Sequence, residues 1–285
     1  LETTLDVFCT ADAAGTYVAT AKNSAGQDVS IPAVIAFRTP TTGYEELVAG
    51  FAPVAFWRFD DNVADGIVVD YAGGYDGTYN SITPEQQVGG AIFEDPSKAI
   101  QFNGTDSYIT TPLQLNGLIA NGEFTFTGWV KIQGTWAATT GFYGQNDLIE
   151  FGQNSATTIS AWADGAGNVS GAVPLAEEWA MVTITYTFDG TDMGETLYVN
   201  NHVAGQNIGT RSINANAGTN YHFTIGGCVW HFEGGFFTGL IDDVAVFPTA
   251  LTSDDISLLY NVGKFGPGAA PEIEVQPIGA ELYSN

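Results

Sequence analysis

Positive charge is almost missing from this chain. Seven Lys and Arg stand against 32 Asp and Glu in 285 residues, a formal net charge of −25. Phosphate backbones and anionic bilayers carry the same sign, so neither nucleic acid nor such a membrane surface is an expected partner. Long apolar runs are missing too. None reaches 18 residues, so no membrane insertion by helices is expected. The chain opens at Leu1 without a basic segment leading into an apolar one, so any secretory signal is expected to be removed or to lie outside it. Cysteine is scarce. Cys9 and Cys228 stand far apart and neither belongs to a Cys-x-x-Cys pair, which excludes a cysteine metal cluster and leaves a disulfide open without requiring one. Three histidines, His202, His222 and His231, show no ligand spacing, and no Ser/His/Asp or Cys/His arrangement is present.

What is abundant points to sheet. Hydrophobic residues make up 45% of the chain and aromatics 13%, enough for a large core, and 35 glycines suit a fold rich in turns. Short β-branched or alternating runs recur at 29–37, 124–132, 181–186, 196–199, 223–225 and 240–247. Between them lie turn pairs such as Asn103-Gly104, Asp164-Gly165 and Asp189-Gly190. Many short strands with such punctuation predict an antiparallel sandwich. Two helices are predicted. One covers 253–260, capped by Thr252 with Asp255 three residues on and ended by Gly263. The other covers 44–49, stopped by Pro53.

The middle of the chain carries ordered motifs. Pro53 leads to Phe56-Trp57-Arg58, and Asp70 and Gly73 precede Gly77-Thr78. Phe102, Gly104 and Tyr108 share a strand and turn, and Phe124-Thr125 precede Trp129-Val130. Glu178-Trp179, Leu197-Tyr198-Val199 and the closing Gly239-x-Ile241-Asp242-Asp243-Val244 follow. Together these resemble the laminin-G-like jelly roll, related to concanavalin A-like lectins and glucanases. The resemblance implies an all-β fold, an antiparallel sandwich over residues 41–265, with Trp57, Trp129 and Trp179 as core residues. Residues 15–26, GTYVATAKNSAG, resemble the penultimate strand and hairpin of an immunoglobulin-like domain, with Tyr17 as its corner tyrosine. Ala19 stands where that family has its second cysteine. Residues 1–40 are therefore read as the last strands of one immunoglobulin-like domain. Residues 266–285 are read as a linker and the first strand of another. Such fragments imply partners that complete them, either neighbouring modules or identical subunits joined head-to-tail.

The resemblance also orders the functional candidates. Family members often hold a structural calcium at a sandwich edge, and pairing of the first and last strands would gather Asp60, Asp61, Asp70, Asp242 and Asp243, the residues proposed as Ca2+ ligands. For glycans, exposed rings with polar neighbours are needed, and the loops offer Trp136, Tyr143, Asn146, Asp147, Trp230 and His231. Glucanase relatives carry Glu-x-Asp-x-x-Glu on one strand; this chain has no such run, and Glu150 stands as an isolated acid, so no enzyme is expected. Asn103-Gly-Thr105 and Asn168-Val-Ser170 are acceptor triplets for glycosylation in a eukaryotic secretory route. The expected function is an extracellular or cell-surface adhesion and spacing module. The alternative is a lectin-like module that targets a polysaccharide.

Overall fold

The computed structural model describes residues 15–17, 20–23, 26–29, 33–35, 42–119, 122–135, 139–209, 212–227 and 235–267. The chain divides into two compact units, Leu1–Thr41 and Thr42–Asn285.

The first unit contains β1 (Gly15–Tyr17), β2 (Thr20–Asn23), β3 (Gly26–Val29) and β4 (Ala33–Ile35). β2 and β3 form an antiparallel hairpin closed by the pair Asn23–Gly26, and β1 pairs antiparallel with β4. Cys9 and Cys228, and the strand expected within 270–285, lie outside the described residues.

The second unit runs as α1 (Gly43–Gly50), β5 (Ala55–Trp57), β6 (Ile67–Val68), β7 (Gly77–Asn80), β8 (Gln87–Gly89), β9 (Lys98–Asn103), β10 (Tyr108–Thr110) and α2 (Asn116–Ile119). It continues as β11 (Phe124–Ile132), β12 (Thr140–Gln145), β13 (Ile149–Gln153), β14 (Thr158–Ala163), β15 (Gly167–Ala172), β16 (Ala180–Phe188), β17 (Met193–Val199), β18 (His202–Gly209), β19 (Phe223–Ile225), β20 (Thr238–Phe247) and α3 (Ser253–Phe265). Two antiparallel sheets result. One has the order β15-β14-β13-β12-β19-β10-β7-β6; the other has β18-β17-β16-β11-β20-β9-β8, with β5 added against β20. This is the expected jelly-roll sandwich.

Period-two alternation builds its layers. In β11, Phe124, Phe126, Val130 and Ile132 join the core between the sheets, while Trp129 turns to the other face. The inter-sheet core is aromatic: Trp57 stacks on Phe223 at 5.4 Å, and Phe124 on Tyr186 at 4.4 Å. A second apolar layer covers the outer face of the second sheet, where α1 and α3 bring Tyr44, Val48, Ile256, Leu259 and Tyr260 onto Trp129, Met181 and Phe247. Trp179 packs at the margin of that layer.

α3 begins as its sequence predicts. Thr252 caps it and Asp255 closes the reciprocal box. It does not stop at Gly263 but continues to Phe265, with Gly266 at its end in a positive-φ conformation (φ 86°). Gly263 serves packing instead. A β-carbon there would lie 2.5 Å from Cζ2 of Trp129, so its bare backbone lets the helix settle on the indole.

Candidate functional site

The five aspartates proposed for calcium meet other partners. Asp70 accepts from the backbone N–H groups of Phe56 (2.8 Å), Ala72 (2.9 Å) and Tyr75 (3.0 Å), which ties the turn after β6 to β5. Asp61 accepts from the N–H of Val69 at 2.8 Å. β5 and β20 do pair, as the resemblance implies, and this draws Asp60, Asp242 and Asp243 into one region. Alternation alone would send Asp242 and Asp243 to opposite faces, but a bulge overrides it. Trp129 pairs with Asp242 and Thr127 with Ala245, so Asp243 and Val244 together stand opposite Gly128. Ile241 and Val244 both enter the inter-sheet core, and the two aspartates between them share the other side. Asp243 takes the left-handed conformation that the bulge needs (φ 46°).

The cation among these acids is built into the chain. The guanidinium of Arg58, 1% exposed, lies 2.8 Å from Glu45, 2.9 Å from Asp95, 3.3 Å from Asp243 and 3.4 Å from Asp60. Asp242 receives the N–H of Ala91 at 2.7 Å and that of Asp243 at 2.8 Å. Among the described residues, no group of three or more His, Cys, Asp or Glu side chains is arranged to hold a metal ion. Carboxylates committed to N–H groups and to Arg58 do not fit a calcium cage.

Burial pushes the carboxyls of Asp242 and Asp243 well above their ordinary range, and those of Asp60 and Asp70 upward as well. The folded chain therefore holds protons that the unfolded chain releases. Below the ordinary carboxylate range both states are protonated and these groups contribute nothing. As pH rises above about 4, the unfolded state ionises first and gains on the folded one. Glu85 and Asp189 are shifted downward and act in the opposite sense, but both are fully exposed and weak. The melting temperature is expected to be higher at pH 5 than at pH 8 in scanning calorimetry; the reverse slope would refute this account of the buried acids.

The glycan candidates divide. Trp136, Trp230 and His231 lie outside the described residues. Tyr143 is fully buried, and its hydroxyl donates to the carbonyl of Val182 at 2.7 Å. A second bulge puts it there: Phe142 and Tyr143 both enter the inter-sheet core, so Gly141 and Gly144 both face outward. Asn146 is buried at the turn between β12 and β13, and Asp147, at φ 60°, is exposed at that turn.

Asp147 overlooks a cleft of about 430 Å³ on the outer face of the first sheet. Its lining also includes Thr139, Glu150, Gly152, Asn154, Ser160, Trp162 and Asn168. Strand register makes this surface. Gly144, Glu150, Trp162 and Asn168 form one cross-strand row over β12, β13, β14 and β15. Gly141, Gly152, Ser160 and Ser170 form the next. The glycines hollow the β12 side; a side chain at Gly152 would collide with the Thr140 carbonyl. Ile159, Ala161 and Ala163 point into the core, which leaves the half-buried ring of Trp162 on the open face beside amide, hydroxyl and carboxyl groups. Glu150 is 8% exposed, and one of its oxygens accepts the N–H of Asp147 at 3.0 Å. Burial raises its carboxyl pKa, and the Asp147 charge adds to the rise. The sequence signal for this row was the run TISAWA, in which a tryptophan takes a polar position of an alternating strand.

Comparison with known proteins adds the family. The sequence model of the concanavalin A-like lectin/glucanases superfamily, laminin-G-like, matches residues 103–257. No curated protein sequence matches. Several solved structures share the fold. Domain 4 of the GH43 extracellular arabinanase AbnA from Geobacillus stearothermophilus, solved with arabinotriose, is 22% identical with a TM-score of 0.53, over 73% of this chain and 98% of that one. Trypanosoma rangeli sialidase in complex with sialic acid is 16% identical (TM-score 0.52) over 74% of this chain and 33% of the sialidase. The receptor-binding domain of botulinum neurotoxin C/D mosaic serotype is 14% identical (TM-score 0.54) over 74% and 51%. The chain thus spans about a third of the sialidase and half of the neurotoxin domain. These likenesses correct the expectation that the chain is not an enzyme. About a third of a sialidase and a domain of an arabinanase share its fold, so the fold gives no ground for that exclusion. No helix among the described residues is long and apolar enough to cross a membrane.

Proposed function

Because the chain belongs to the concanavalin A-like lectin/glucanases superfamily, we propose that it is a lectin-like module that binds a polysaccharide through the cleft over β12 to β15. The observation that carries this reading is Trp162, a partly exposed ring flanked by Glu150 and Asn168 in one row. A sugar ring has an apolar face and an equatorial rim of hydroxyls. A planar side chain bordered by amides and carboxylates matches both. The arabinanase domain of the same fold, solved with arabinotriose, supports the reading. Adhesion at a cell surface is the setting we assign to such a module, with the immunoglobulin-like strands of residues 1–40 as its neighbour in an extracellular chain.

Trp162→Ala tests the site. Against an array of plant and microbial polysaccharides, the wild-type chain is expected to retain at least one, and the variant to lose roughly tenfold or more in affinity for it, the worth of burying one apolar side chain. Equal retention by both proteins would remove the cleft from the proposal.

A further inference from the structure

The cleft is charged on one side only. Asp147 and Glu150 line it, and no lysine or arginine among the described residues does. Lys98 and Lys131 belong to strands of the other sheet, Lys264 belongs to α3, and Arg58 is buried among its own four acids. Glu150 is more than nine-tenths buried, yet it faces the cleft and receives one hydrogen bond, from the Asp147 N–H. A carboxylate held by a backbone N–H and bordering an open cleft is a strong acceptor for a charged donor. The overall charge of −25 adds a field that repels anionic ligands and draws cations.

We propose that the cleft selects amine-bearing sugars, polymers of unacetylated hexosamine, seating a protonated amine against Glu150 and Asp147 while the ring lies on Trp162. This rests on the carbohydrate reading of the same cleft and narrows it. N-acetylation removes the charge, and a uronic or sialic acid brings a carboxylate toward two others; both are disfavoured. The preference is electrostatic, so it weakens with salt.

The test is calorimetric titration of the full chain in about 150 mM salt, where the Debye length is about 8 Å, with four probes: oligomers of glucosamine, of N-acetylglucosamine, of glucose and of galacturonic acid. The glucosamine oligomer is expected to bind about tenfold or more tighter than the others, the scale of one charge-assisted hydrogen bond. Glu150→Gln retains an oxygen for the Asp147 N–H and is expected to abolish that preference, bringing the glucosamine oligomer down to the affinity of the neutral oligomers. Glu46→Gln, on the exposed side of α1, removes the same unit of charge away from the cleft and is expected to change nothing. Equal losses in the two variants would show attraction to net charge alone and overturn the proposal. So would neutral or N-acetylated oligomers binding as tightly as the amine; in that case the carbohydrate reading survives. If none of the four probes binds and the polysaccharide array is also blank, both readings fall.

Discussion

Arg58→Met is expected to cost the second unit about 3–5 kcal/mol at neutral pH, because it strands Glu45, Asp60, Asp95 and Asp243 around an apolar side chain. The guanidinium joins α1, β5, the turn after β8 and β20, so its loss loosens four segments together. The penalty is expected to shrink as pH falls toward 5, since carboxyls already raised by burial take up protons once their cation is gone. Arg58→Lys is expected to fall between the two, as a single ammonium cannot fork to Glu45 and Asp95 at once. Chemical denaturation at pH 5 and pH 8 reads all of this. A variant within 1 kcal/mol of wild type at pH 8, or a loss that does not change between the two pH values, would show that Arg58 is not the counter-charge of this cluster.

Trp129→Ala is the second large effect. The indole is fully buried, stacks on Tyr260 at 5.9 Å, and donates from Nε1 to the hydroxyl of Tyr44 at 3.0 Å. Its removal opens a cavity beneath both helices, at about 3–5 kcal/mol. For a unit of this size that corresponds to roughly 6–20 °C in melting temperature. Trp129→Phe retains a ring against Tyr260 and loses the N–H, so it is expected to cost about 1–3 kcal/mol, largely as the unmet hydrogen bond of Tyr44. If the alanine variant melts within a few degrees of wild type, the helical layer does not depend on this indole.

The strands that could be read from sequence were those in which alternation and burial agree. Residues 124–132 and 223–225 form strands with those bounds, and Thr252 with Asp255 marks the start of α3. The misread positions are those where one residue has two physical uses. Gly263 resembles a helix terminator and is a contact surface for Trp129. Asp242-Asp243 and Phe142-Tyr143 break period two because each pair straddles a bulge, and a bulge depends on the partner strand, which a linear reading does not contain. Trp162 was legible in principle, as a large ring out of phase with Ile159, Ala161 and Ala163. The candidates chosen instead were loop aromatics. What makes Trp162 a candidate is its cross-strand company, Glu150 and Asn168, and that comes from register rather than from proximity in the chain.

Among the described residues, those that line the cleft fall between Thr139 and Asn168, on four successive strands and the turns that join them. The surface proposed for recognition is thus a single continuous cassette. Its inward positions are held constant by the packing of the two layers, and its outward positions are free to vary. A lineage can therefore change what this domain grips by rewriting about thirty codons, and an engineer can transplant the same stretch between sandwiches of matching pitch.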